Sequence, residues 1–392
     1  MSAKLGTEVV VVGGGPAGLI AAGLLGCSGV PSVLIAPPVA PDTRTTALMQ
    51  GSLKILERIG IWPSLAPKSG PLRKLRILDA SGGLIRAPET TFDARELNLT
   101  AFGNNIENND LLAALRDAIA RFSRISVLTS PVEAVEPARD RVVVRLGDGK
   151  EITARLVVGA DGRKSLCRAA AGIAAKEWQY PQSALTLNFS HSRPHGDVST
   201  EFHRRGGPLV LVPLPGNRSS MVCVDTPMET ARRSALEPRA LGREIERLTQ
   251  GLLGRITPAG PNGCWPLRGL LAARFAASRI ALVGESAHVL PPIGAQGLNL
   301  SIRDAAAIAA LAAEACRQGG DPGAPALLDA YESGRRLDAR PRKIAVDLLN
   351  RSLIADLLPF DAARALGLWA LKSVPPLRRS VMRQGVALSA RR

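Results

Sequence analysis

The chain opens with two contrasting hydrophobic patterns. Glu8-Val9-Val10-Val11-Val12 is a continuous β-branched run closed by glycine, the pattern of a strand covered on both faces. Residues 16–27 are small and apolar and predict a closely packed helix, and Pro31 to Ile35 returns as a second strand. Leu48, Leu53, Leu56 and Ile59 share one side at helical spacing, which predicts a helix over 44–60. The pattern then changes to Arg76–Asp79 and Gly83–Arg86 around Ala80-Ser81-Gly82, a hairpin. Leu111, Leu112, Leu115 and Ile119 predict a helix over 109–122, and Gly147-Asp148-Gly149 joins two strands, Val142–Leu146 and Ile152–Val158.

Farther along, residues 182–226 alternate like several strands, and 235–256 read as helical. Arg279–Val283 is another short buried strand before a helix over 298–318. Residues 325–390 are mostly helical in pattern, broken at Pro341, Pro359 and Pro375-Pro376. These elements predict a mixed α/β chain. One discontinuous α/β domain takes 1–71, 101–178 and 271–350, and an inserted antiparallel β-sheet domain takes 72–100 and 179–270. A helical, basic C-terminal segment covers 351–392.

Composition narrows the function classes. The chain has 392 residues, 46% hydrophobic and only 3% aromatic, so it has an aliphatic core and no disordered composition. No secretory signal and no run of about 18 apolar residues is visible. Five cysteines without a Cys-x-x-Cys pair, and four scattered histidines, offer no metal-ligand spacing and suit a reducing cytoplasm. The formal charge is +16, which favours anionic partners. The basic residues form no aromatic-interleaved patch, which argues against nucleic acid. Six of them lie between Lys372 and Arg392 without a carboxylate, and Leu377, Val381 and Leu388 share a helical face there. Two readings of this tail stand: a solvated helix end, or a segment meeting an anionic membrane at its inner face.

Three motifs carry chemistry. Gly13-Gly14-Gly15-Pro16-Ala17-Gly18 is a G-x-G-x-x-G between a strand and a helix. Gly13 permits the turn, Gly15 lets backbone approach a pyrophosphate, and Gly18 lets helix and strand pack, as in a Rossmann-like dinucleotide site. The helix N-terminus adds free N–H groups. The carboxylate that usually ends the second strand is missing: Ala36 stands there, followed by Pro37-Pro38. The second motif, Val157 to Arg168, runs a strand into Asp161-Gly162. Taken alone it is equally a turn capped by Ser165. The third begins Val283-Gly284-Glu285-Ser286-Ala287-His288. It continues through Pro292-Ile293-Gly294-Ala295-Gln296-Gly297-Leu298-Asn299 to Arg303-Asp304. A carboxylate ends a strand, and a glycine-rich segment opens a second ligand-facing helix.

These motifs, in this order, resemble the flavoprotein aromatic hydroxylases typified by para-hydroxybenzoate hydroxylase. More narrowly they are similar to the ubiquinone-biosynthesis hydroxylases, which Thr45-Thr46-Ala47-Leu48 and Ile106-Glu107-Asn108 also resemble. The resemblance implies non-covalent FAD. Gly13, Gly15 and Gly18, with Pro16 and Ala17, would hold the pyrophosphate. Arg44 and Thr45 would lie by the ribityl and phosphate region, with Asn108 near the cofactor. Asp161 would contact FAD, and Glu285, where the family usually has Asp, would take a flavin hydroxyl. Gly297, Leu298 and Asn299 would meet the isoalloxazine ring through backbone groups, with the Pro292–Gly294 loop beside it. The extra methylene of Glu285 is expected to reach toward the place left by Ala36. His288 is expected to support its loop, and His191, His195 and His203 to lie at the surface, with a substrate-lining role as the alternative.

The resemblance also implies the reaction. NAD(P)H, binding without a Rossmann domain of its own, is the expected electron donor. Oxygen would be activated as a flavin hydroperoxide, so no protein nucleophile is required. The expected substrate is a polyprenylated phenol on the way to ubiquinone, met at a membrane surface or within a biosynthetic complex. Two alternatives remain: a hydroxylase of a soluble small phenol, and a non-catalytic FAD-binding subunit.

Overall fold

The computed structural model describes residues 4–82, 87–292, 294–337, 366–367 and 369–385. The opening valines sit in the strand Lys4–Val12, which pairs in parallel with Glu151–Gly159 on one side and Ser32–Ile35 on the other. Ile280–Leu282 and Ile125–Leu128 extend this parallel sheet outward. Both faces are covered, which is why the strand is continuously apolar and Val9, Val10 and Val11 are fully buried. Pro16–Cys27 is the helix the small residues predict, opened by Pro16 at its first turn. Val142–Leu146 pairs antiparallel with Glu151–Gly159, as the Gly-Asp-Gly turn implies.

A second eight-stranded sheet is antiparallel except where Lys74–Asp79 runs beside Val198–His203. One face packs Leu185, Phe189 and Met221 onto Leu241 and Ile245 of the helix Pro238–Leu248. The opposite face turns Thr186, Asn188 and Ser220 toward the loops of the first sheet. Thr45 Oγ1 donates to Ser220 Oγ at 2.8 Å, and Asn188 Nδ2 donates to the Thr43 carbonyl at 3.5 Å.

Several expectations need correction. The helix expected over 44–60 begins only at Gln50, because Thr45–Met49 is a strand paired with Gly103–Glu107. Leu48 therefore belongs to a sheet, and its helical spacing with Leu53 is coincidental. Lys74–Asp79 pairs with Thr90–Asp93, and Gly83–Arg86 lie outside the described residues. A 17-residue strand, Ile256–Ala272, escapes pattern reading. Pro258, Pro261 and Pro266 interrupt its hydrogen-bonding pattern, and its partner Ala175–His191 absorbs them by shifts of register.

Near the C-terminus, the break at Pro375 is present, while the expected breaks at Pro341 and Pro359 fall outside the described residues. The helix Pro375–Gly385 does not project freely. Met382 is buried among Phe92, Phe102 and Met49, and the Arg378 guanidinium lies 5.3 Å over the Phe92 ring. Arg378 also donates to the Thr91 carbonyl and to Glu96.

One buried charge cluster fixes the end of Ile280–Leu282 against the long helix Gln296–Arg317. Asp304, fully buried, accepts from the Gly284 N–H at 3.1 Å, His288 Nε2 at 2.6 Å and Arg335 Nε at 2.6 Å. Burial pushes its carboxyl up, but the charge and hydrogen bond of His288, the Arg335 charge and the Gly284 amide hold it below its ordinary value. His288 is thus spent on structure, as its position implies. Asp304→Asn should cost about 3–5 kcal/mol by removing the buried carboxylate charge that pairs with His288 and Arg335. A depressed folded pKa contributes stability above the ordinary aspartate range, about 3.9, and loses it as pH falls toward the folded value. In urea titrations, the gap between wild type and Asp304→Asn should be full at neutral pH and shrink on that acid limb. A gap constant with pH would contradict the assignment.

Candidate functional site

The three motifs converge because backbones touch. Gly13 has φ of +126°, and its N–H donates to the Ile35 carbonyl at 2.9 Å. A Cβ there would stand 2.2 Å from the Ala160 carbonyl oxygen, beside Asp161. A Cβ on Gly18 would stand 2.0 Å from the Gly13 oxygen. The protein itself therefore requires both glycines. Gly15 differs, because no protein atom lies within 4 Å of where its Cβ would be. Gly297, in the first turn of Gln296–Arg317, is equally unobstructed. Neither of these glycines is demanded by packing, and each opens the N-terminus of a helix.

The two helices pack together through Gly284. A Cβ there would lie 3.0 Å from Ser301 Oγ on one helix and 3.3 Å from the Ala17 Cβ on the other. Arg168 closes the triangle, donating to the Ser286 carbonyl at 2.9 Å and the Arg163 carbonyl at 2.8 Å. A cleft of about 400 Å³ runs beside Gly13–Gly15, bounded by Pro37, Val39, Asp161 and Lys164. Pro16 and Ala17 form the first turn behind it, with no acidic residue to oppose an anion.

Asp161 lines that cleft, yet its oxygens are engaged. Oδ1 accepts from Ser165 Oγ at 2.6 Å, and Oδ2 accepts from the Cys167 N–H at 3.0 Å. Ser165 in turn caps the helix Leu166–Ala170 by accepting from the Arg168 N–H at 2.8 Å. The Asp-Gly motif is therefore a capped turn that also lines the cleft. Burial and the neighbouring Asp161 charge push the Cys167 thiol well up, so it is inert.

Arg44 is held by three residues. Asp42 accepts its Nε at 2.8 Å and Nη2 at 2.7 Å. The guanidinium lies 4.7 Å over the Trp265 ring, and the Arg44 carbonyl accepts from the Asn108 N–H at 2.9 Å. Asn108 links outward: its Nδ2 donates to Asp42 at 2.8 Å, and its Oδ1 accepts from Thr46 at 2.6 Å. Burial pushes Asp42 up, but Arg44 and Asn108 bring it below its ordinary value. The Asp42 hydrogen bonds raise Arg44, and the Glu285 charge adds to this. Arg44, Asp42, Asn108 and Thr46 thus sit on one network, while Thr45 turns its hydroxyl to Ser220.

Glu285 is exposed on a short turn, Gly284–Ser286, with Arg163 Nε at 4.0 Å. It pairs with Arg163 at the surface, and its charge also acts on Arg44. The expectation that it compensates for Ala36 is overturned. Ile280–Leu282 and Ser32–Ile35 are separated by Glu151–Gly159 and Lys4–Val12, three interstrand spacings or about 14 Å. One added methylene cannot span that.

Asn299 is buried, and its side chain is fully used. It accepts from the Met49 N–H at 2.9 Å and Ser52 Oγ at 2.7 Å, and donates to Ala47 at 2.8 Å and Ala295 at 2.6 Å. Any ligand contact from it must come from backbone. Leu298 is half-buried beside it, and Gly294, with φ of +63°, and Pro292 are exposed on the preceding loop. Ile293 lies outside the described residues.

Three residues of the site escaped sequence reading: Asp42, Trp265 and Lys164. Asp42 had a signal, a carboxylate two residues before Arg44. Trp265 had none, lying in the unrecognised strand. The histidines are also corrected, because His191 and His203 are buried in the second sheet. His191 meets Ser219 Oγ at 3.0 Å, and His203 meets Glu201 at 3.0 Å.

The FAD binding domain family matches residues 6–342. A Rhodospirillum rubrum protein named ubiquinone hydroxylase UbiL is 35% identical, over 98% of this chain and 90% of its own. The Escherichia coli 3-demethoxyubiquinol 3-hydroxylase is 30% identical, over 97% and 99% respectively. Among solved structures, p-nitrophenol 4-monooxygenase PnpA of Pseudomonas putida superposes over the whole of both chains with a TM-score of 0.82 at 20% identity, a likeness of fold. The match spans both helix N-termini and the Asp-Gly turn between them, and the chain belongs to the FAD-binding flavoprotein hydroxylases.

Proposed function

We propose that this protein is an FAD-dependent monooxygenase that hydroxylates the ring of a polyprenylated phenol in ubiquinone biosynthesis. One observation supports the cofactor above others. Gly15 and Gly297 are open at the Cβ position, each in the first turns of a helix, and the two helices are packed together. A long dianionic cofactor would explain both glycines, because its diphosphate would be held at the first helix and its ring at the second. The residues fit FAD: Glu285 offers an exposed carboxylate to a hydroxyl, and Arg44 offers a fixed cation. The substrate class follows from the relatives named ubiquinone hydroxylases, and NAD(P)H is proposed as the electron donor.

The bound flavin supplies the oxygen-transfer chemistry. The chain's own task is to orient and to exclude water. The face of the second sheet bearing Thr186, Asn188 and Ser220 meets Thr43 and Thr45 beside Arg44. The Arg44 network holds the two sides at fixed separation by joining Asp42 to Trp265. The C-terminal helix closes the flank through Met382, in the same apolar cluster as Ala295. A reaction between two bound rings gains most from such fixed placement.

Membrane contact through the C-terminal segment belongs to the same proposal. Arg378 is consumed internally, so among the described residues of the segment the charge left to a membrane lies on Lys372, Arg379 and Arg383, with Leu377 and Val381 exposed nearby. Among the described residues no helix is long and apolar enough to cross a membrane.

Three outcomes follow. Gly15→Val should purify without flavin, because the side chain fills the space the diphosphate needs. A yellow Gly15→Val protein at full occupancy would refute the site. Glu285→Ala should weaken FAD binding by roughly ten- to a hundred-fold, the equivalent of one charge-assisted hydrogen bond of about 1.5–3 kcal/mol. Asp there should be tolerated, and flavin titration with unchanged unfolding midpoints checks both variants. In vesicle co-sedimentation, Arg379→Glu with Arg383→Glu should lower binding to anionic lipid while leaving FAD bound. Each charge contributes about 1 kcal/mol near such a surface, screened over about 8 Å at physiological salt. Wild type that binds no vesicle would favour a soluble phenol instead.

A further inference from the structure

The adenosine end of the cleft lacks its usual anchor. In dinucleotide folds a carboxylate at the end of the second strand takes the ribose hydroxyls. Here that position is Ala36, and the apolar lining residues Pro37, Val39, Val132 and Leu166 offer no side-chain hydrogen-bonding group. Asp161, the single carboxylate lining the cleft, already accepts from Ser165 and the Cys167 amide. Ribose hydroxyls therefore find no free acceptor side chain among the lining residues.

The opposite side of the same cleft carries a cation. Lys164 lies on the loop after Glu151–Gly159, is exposed, and has no acidic partner among the described residues. Its neighbour Arg163 faces Glu285 instead. Across from Lys164, Gly15 leaves the backbone open, and the helix behind it has no acidic residue in its first turn. Lys4–Val12 alone separates Glu151–Gly159 from Ser32–Ile35, a gap of about 10 Å. The flexible four-carbon stem of lysine crosses much of that.

We propose that Lys164 holds the diphosphate of FAD in place of the ribose clamp missing at Ala36. The site then recognises the adenosine half by phosphate charge and not by ribose hydroxyls. This deepens the FAD reading and rests on it. Two consequences separate charge recognition from hydroxyl recognition. Affinity depends steeply on salt, because an exposed ammonium is screened. Removal of a ribose hydroxyl from the ligand costs little, because no buried acceptor is left unpaired.

The experiment is FAD titration of the full-length apoprotein by flavin fluorescence, at low and high salt, with ADP and 2′-deoxy-ADP as competitors. Lys164→Ala should weaken FAD at least ten-fold at low salt and flatten the salt dependence, and Lys164→Arg should restore most of both. Wild type should bind ADP and 2′-deoxy-ADP within about two-fold of each other. Ala36→Glu should open a gap between them. Lys164→Ala binding FAD within two-fold of wild type would overturn the lysine's role and leave the hydroxylase reading intact. Wild type that discriminates ten-fold against 2′-deoxy-ADP would overturn the hydroxyl half of the proposal. Wild type that binds no FAD at all would sink the function itself, and the proposal with it.

Discussion

The contact on which the site depends involves no side chain. The Gly13 backbone lies against the Ala160 carbonyl, and Gly18 lies against the Gly13 carbonyl. Strand, turn and helix are stacked at distances that exclude even a methyl group. This brings the Asp161 loop and the first helix to one cleft, and it leaves Gly15 facing outward. The third motif joins by the same device, with Gly284 seated between Ala17 and Ser301. Three segments far apart in sequence meet because the first and third contribute residues without a Cβ at the meeting points, and the second offers the Ala160 backbone. Packing of this kind is unforgiving, since neither neighbour is a flexible side chain that could shift.

Side chains then lock what the glycines bring together. Asp304 holds Gly284, His288 and Arg335, and Asn299 ties Gln296–Arg317 to the strand Thr45–Met49 and to Ser52. Arg44, Asp42, Asn108 and Trp265 do the same between the two sheets. These networks are satisfied internally, so the groups left open to a ligand are few: helix N–H groups, Glu285 and Lys164. The division is economical, because a rigid scaffold lets a small number of polar groups define the site.

Legibility in the sequence followed the range of the interaction involved. The opening strand, the helix after it and the Gly13–Gly18 turn were readable because their determinants are local: β-branched valines, small residues, and glycine at fixed spacing. The strand Thr45–Met49 was misread because its state is set by Gly103–Glu107, more than 50 residues away. Ile256–Ala272 was unreadable because its prolines argue against a strand unless the partner accommodates them. At the site, Gly15 and Glu285 were visible as motif positions. Trp265 was not, since only the paired sheets bring it under Arg44. The roles of Asp161 and Asn299 were half visible: sequence placed them, and coordinates show how much of each side chain is already spent.

The parallel pairing of the opening strand has a consequence for synthesis. Lys4–Val12 obtains one neighbour from Ser32–Ile35 almost at once, but the other, Glu151–Gly159, lies more than a hundred residues later. At about 5–20 residues per second, the valine edge waits roughly 7–30 s on the ribosome without its partner. An unpaired edge of four valines is a template for pairing with another chain. The time for which that edge stays open is therefore set by translation through residues 35 to 150.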